Sequence, residues 1–107
     1  MFAWAGLAER TLPELRLMYA VPNGGHRHKA VAARLKATGV KSGVPDVVLP
    51  VARHGYHSLY IEMKAMDGHA SKTQRQWIED LACEGHKAIV VRGFKEARDQ
   101  IVAYLKP

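Results

Sequence analysis

The chain has 107 residues, 48% of them hydrophobic, which suits one domain with its own buried core and excludes a disordered segment. Sixteen Lys and Arg against ten Asp and Glu give a net charge of +6 and a pI near 9.7; this is either ordinary solubility or the footprint of a polyanionic partner, most simply nucleic acid. Apolar runs are too short to span a bilayer, "MFAWAGLAERTLPEL" lacks the basic start of a secretory signal, and the lone Cys83 excludes an intramolecular disulfide and a cysteine zinc cluster, so a cytoplasmic protein is expected.

In chain order, the composition predicts a first helix over residues 2–10, which Pro13 breaks. "LRLMYAVP" reads as a short strand ended by Pro22 and the turn "NGG". "HRHKAVAARLKATG" reads as a helix with Ala30, Ala33, Leu35 and Ala37 inward and Gly39 as its stop. A Gly/Pro turn then feeds a strand over Asp46–Val51, "HGYH" makes a hairpin turn, and "SLYIEMKA" is the next strand. Ser71 is a good N-cap for a helix whose inward stripe is Trp77, Ile78 and Leu81 and whose end is Gly85. "HKAIVVRG" reads as a short buried strand, and a last helix turns Phe94, Ala97, Ile101, Val102 and Leu105 inward. The order α-β-α-β-β-α-β-α predicts an α/β domain around a small mixed sheet flanked by helices.

One constellation carries chemistry. Asp46 opens one strand of the candidate hairpin, and Glu62-x-Lys64 lies on the other, where period two puts Glu62 and Lys64 on one face. Two carboxylates with open coordination positions suit Mg²⁺ or Mn²⁺, and the carbonyl of Met63 is a further oxygen ligand on the same strand. Such a metal lowers the pKa of a bound water and offsets charge on a phosphate, with Lys64 placed to hold the attacking water or the scissile phosphate. A bare E-x-K in an apolar strand is more often an exposed cross-strand ion pair. The combination of P-D with E-x-K one hairpin later, in a basic domain, favours the site.

"GVPDVVL", "LYIEMKAMDGHAS" and "SKTQRQWIEDLACEGHKAIVV", with "PNGGHR" and "GVKSGVPD" upstream, resemble the stand-alone VRR-NUC nucleases of the PD-(D/E)xK superfamily, and most closely their small phage and prophage members. The resemblance runs from about Pro13 to the C-terminus. It implies a restriction-endonuclease-like core, a Mg²⁺ or Mn²⁺ ion held by Asp46 and Glu62, Lys64 as the catalytic lysine, and Gln74 as a supporting polar residue. It further implies a structure-specific DNA endonuclease that cuts four-way junctions as a homodimer. The family's usual first-helix glutamate, upstream of a segment like "FAWA", has no counterpart here, and Glu9 replaces it only if the helix is shifted. An impaired DNA-binding module with a vestigial site is the alternative, and RNA shares the same charge signature.

Asn23–Gly25 suits a tight turn whose glycines also let a backbone approach phosphates, and the resemblance, which implies that this loop lies near the site, assigns His26, Arg27 and Lys29 to DNA contact. Lys36, Lys41 and Lys72 are further phosphate candidates, each equally readable as a solvated surface charge. The pairs His26-x-His28 and His54-x-x-His57 lack the partners of a zinc site, and Cys83 is expected to be a buried inert thiol.

Overall fold

The computed structural model describes residues 1–22 and 29–107, except the side chains of Lys29, Ala30, Ala32 and Leu35. Helix α1 (Phe2–Ala8) leads into a 3-10 turn (Pro13–Leu17) and a two-residue strand β1 (Tyr19–Ala20). Helix α2 (Lys29–Ala37), strands β2 (Val47–Leu49) and β3 (Leu59–Lys64), helix α3 (Lys72–Cys83), strand β4 (Lys87–Arg92) and helix α4 (Gly93–Leu105) follow. The four strands lie in the order β1-β2-β3-β4. The first two pairings are antiparallel and β3 runs parallel to β4. That parallel pair needs a crossover, which α3 supplies.

Side-chain alternation divides the sheet into two unlike faces. Leu59 and Ile61 of β3 stand beside Leu49 and Val47 of β2, and Ile61 stands beside Ile89 of β4. This face meets Ala97, Ile101, Tyr104 and Leu105 of α4 together with Ala5, Leu15 and Met18 to form the dry core. Full burial of each Leu or Ile there stabilises the fold by about 1.5–3 kcal/mol. The opposite face carries Tyr60, Glu62 and Lys64, with α3 packed nearby against β4. Gln74, Trp77, Ile78 and Leu81 form the inward stripe of α3, yet no residue of that helix is fully buried.

Several local expectations are corrected. The segment after Pro13 is not a strand, because the buried residues Leu15 and Met18 recur every three positions while Leu17 is 41% exposed. Proline at the start presets φ for a 3-10 turn, and strand geometry begins only at Tyr19. Ala33 and Ala37 of α2 are exposed rather than inward; Ala30 and Leu35 lie outside the described side chains. Cys83 is exposed, at the last position of α3. Phe94 is not in the core; its ring meets that of Trp4 edge-on at 6.2 Å. The hairpin turn spans Arg53–Tyr56, with His54 and Gly55 both at positive φ, the pairing a two-residue type I′ turn demands.

Tyr104, which the helical stripe did not single out, joins the core to that hairpin. Its buried hydroxyl donates to the Val51 carbonyl at 2.5 Å. Tyr104→Phe keeps the ring and leaves that carbonyl without its donor. We expect a loss of about 1–2 kcal/mol. Thermal unfolding should show a lower midpoint by roughly 4–8 °C per kcal/mol, with the far-UV circular dichroism unchanged.

Candidate active site

The register of the hairpin builds the site. Val47 pairs with Ile61, so one step earlier Asp46 faces Glu62. The Met63 N–H, pointing toward β2, donates to Asp46 Oδ2 at 2.8 Å. The residue one step further on β2 is Pro45, which has no N–H to offer the Met63 carbonyl on that same edge. The turn before Pro45 is pinned by α3: the Trp77 indole N–H donates to the Ser42 carbonyl at 3.1 Å. Gly43 has φ +86°, and a Cβ there would stand 2.6 Å from Thr73 Cγ2, so only glycine lets the turn lie this close to α3.

Glu62 is 1% exposed, the most deeply buried charged residue among those described. Lys64 Nζ lies 3.4 Å from its Oε1, with the lysine side chain 20% exposed. The other oxygen, Oε2, is buried without a hydrogen-bond partner among the described residues. Burial and the neighbouring Asp46 carboxylate push the Glu62 pKa up, and Lys64 only partly opposes them. An anionic oxygen removed from water with nothing donating to it is unfavourable unless a cation stands there. The donor set of two carboxylates and a carbonyl is hard and oxygen-only, which fits Mg²⁺ or Mn²⁺. Among the described residues no three His, Cys, Asp or Glu side chains converge, so water and substrate oxygens would complete the shell.

Of the residues singled out in the sequence, Asp46, Glu62, Met63 and Lys64 come together at one end of the sheet. Gln74 is in the capping box of α3: its Oε1 accepts from the Ser71 N–H at 2.8 Å, and its own N–H donates to Ser71 Oγ at 3.1 Å. Only its amide NH₂ is then left to donate to a ligand. Lys36, Lys41 and Lys72 are exposed, with Lys72 in the first turn of α3. His26, Arg27 and the side chain of Lys29 lie outside the described residues. Neither early acid joins the carboxylate pair: Glu9 is exposed at the C-cap of α1, and Glu14 pairs with Arg53 at 3.2 Å.

Arg92 was not anticipated. The parallel register sets it beside Lys64, on the same face. Its Nε donates to the Gly68 carbonyl at 2.9 Å, and its Nη2 lies 3.4 Å from His69 Nδ1. Two residues 28 positions apart reveal this adjacency only once the strand register is known.

A carboxyl whose folded pKa is raised favours the fold most below its ordinary value of 4.5 and loses that contribution as pH rises through the folded value. Without divalent ions, wild-type stability should therefore fall above about pH 4.5 by a component that Glu62→Gln lacks. At pH 8 the variant should melt no lower than wild type, and millimolar Mn²⁺ should raise the wild-type midpoint alone. Differential scanning fluorimetry across pH, with and without Mn²⁺, measures both effects.

The comparisons with known proteins agree with this geometry. The sequence profile of the VRR-NUC domain matches residues 5–95. A solved structure described as a VRR_NUC domain protein superposes with a TM-score of 0.73 at 34% identity, covering 85% of this chain and 69% of that one. No curated protein matches the chain. The match over nearly the whole length, on a fold that gathers P-D and E-x-K around one buried carboxylate, establishes that the chain belongs to the VRR-NUC domain family, a family of nucleases.

Proposed function

We propose that the protein is a Mg²⁺- or Mn²⁺-dependent structure-specific DNA endonuclease that hydrolyses phosphodiester bonds at four-way junctions as a homodimer. The observation that carries the reading is the buried Glu62 carboxylate, whose Oε2 has no hydrogen-bond partner among the described residues, beside Asp46 and Lys64. Asp46, Glu62 and the Met63 carbonyl would hold the ion. When bound, the ion supplies a water of lowered pKa and offsets charge on the phosphate. Asp46 is oriented by the Met63 N–H, so its second oxygen is presented in a set direction. Lys64 is held against Glu62, close enough to steady the attacking water or the charge that develops on the phosphate.

A net charge of +6 favours a phosphate backbone, whose contacts carry no base information; recognition is then of shape. His26, Arg27, Lys29, Lys36, Lys41 and Lys72 are assigned to that backbone, and Gln74 to support of the site. A junction requires two incisions and the domain has one site, which favours two copies. Resemblance to phage and prophage members supports action in the cytoplasm of a bacterial host. No helix among the described residues is long and apolar enough to cross a membrane.

The test is cleavage of end-labelled four-way junctions, linear duplex and RNA with Mg²⁺, Mn²⁺ or EDTA. Paired, metal-dependent nicks near the branch point are expected in the junction. Asp46→Asn, Glu62→Gln and Lys64→Ala should each lower the rate by about a hundredfold or more, the scale of losing one preorganised charge contact or metal ligand. Undiminished cutting by Lys64→Ala would overturn the assignment. Binding without metal-dependent cutting by the wild type would instead favour the DNA-binding module.

A further inference from the structure

We propose that Arg92 is a substrate-binding residue of this site, taking the DNA phosphate next to the scissile one. The inference rests on the nuclease reading above and deepens it.

Lys64 and Arg92 are partners on the last rung of the parallel pair, so two cations stand abreast on the face that carries Glu62. Like charges directly opposite one another in a sheet repel. Lys64 is offset by Glu62. Arg92 has no such offset: no carboxylate among the described residues lies within ion-pair distance of its guanidinium. The nearest acid in sequence, Glu96, accepts from the Arg92 backbone N–H at 3.2 Å instead. By contrast, Arg53 and Arg98 each have a carboxylate partner.

Neither side-chain partner of Arg92 is a carboxylate: they are the Gly68 carbonyl and His69 Nδ1. The bond from Nε fixes the plane of the guanidinium, while Nη1 has no partner among the described residues. A half-buried guanidinium that is held in place but left without an anion suits a phosphate, whose oxygens match its planar fork. The residue also lines an open groove of about 560 Å³ with Met66, Phe94, Lys95 and Gln100, whose wall also carries the acids Glu96 and Asp99, so its guanidinium is open to solvent from that side. Met66 is 76% and Phe94 43% exposed along that groove.

A purely structural role, in which Arg92 only anchors the loop at Gly68, makes different predictions for two substitutions. Arg92→Gln keeps a donor for the Gly68 carbonyl and loses the charge. Arg92→Lys keeps the charge and loses the fork. Junction binding is measured by fluorescence anisotropy in Ca²⁺, over roughly 50 to 200 mM salt, beside thermal midpoints. A phosphate contact predicts about tenfold weaker binding for Arg92→Gln. The slope of log affinity against log salt should flatten by about 0.9, at an unchanged melting midpoint. Arg92→Lys should retain the wild-type slope. Equal slopes and affinities for wild type and Arg92→Gln would overturn the proposal. So would equal losses in both variants accompanied by lower midpoints, which mark a loop anchor. The readout is independent of catalysis. A wild type that binds in this Arg92-dependent way but never cuts with Mn²⁺ removes the nuclease activity while leaving the phosphate contact standing.

Discussion

The structure is organised around a carboxylate that has been taken out of water. Glu62 lies on a central strand between β2 and β4, with Asp46 on one side and, among the described residues, one cation, Lys64, at 3.4 Å. An ionised group in such a place raises the free energy of the fold unless compensated. Its neighbours do not compensate fully, as the upward shift of its pKa records. A divalent cation placed there would relieve the uncompensated part.

What permits the arrangement is the division of the sheet into two faces. One face packs Leu49, Leu59, Ile61 and Val91 against α4 at essentially complete burial, and most of the apolar stabilisation comes from there. The other face is covered by α3 without a fully buried residue of that helix, and on it Lys64 and Arg92 remain half-exposed beside the buried Glu62. Helix α3 also works at a distance. Its Trp77 holds the Ser42 carbonyl, and its Thr73 packs on Gly43, so the turn that delivers Pro45 and Asp46 is braced from behind. Pro45 has no N–H to present to the Met63 edge, so a two-residue motif supplies a carboxylate and withholds a backbone donor beside it.

Much of this was legible beforehand. Alternation in "LYIEMK" assigned Glu62 and Lys64 to one face, because period two leaves no other choice. Ser71 announced the start of α3 as its N-cap, and the structure adds the reciprocal bond from Gln74 that completes a capping box. Where reading failed, the cause was tertiary. Leu15 and Leu17 look like strand alternation, yet Pro13 initiates a 3-10 turn that pairs Leu15 with Met18 instead. Cys83 and Phe94 are apolar residues on amphipathic helices, but each sits at a helix end, where the core no longer reaches.

By itself, then, the sequence determined the order of elements, the mixed sheet, and the acid and base residues that share a face, because local periodicity and turn chemistry act within a few residues of the chain. Only the tertiary structure decided that Asp46 stands opposite Glu62, that one Glu62 oxygen is left without a donor, and that Arg92 stands beside Lys64. These depend on strand register and on which helix covers which face. Both are set by the packing of residues far apart in the chain, which local pattern cannot specify.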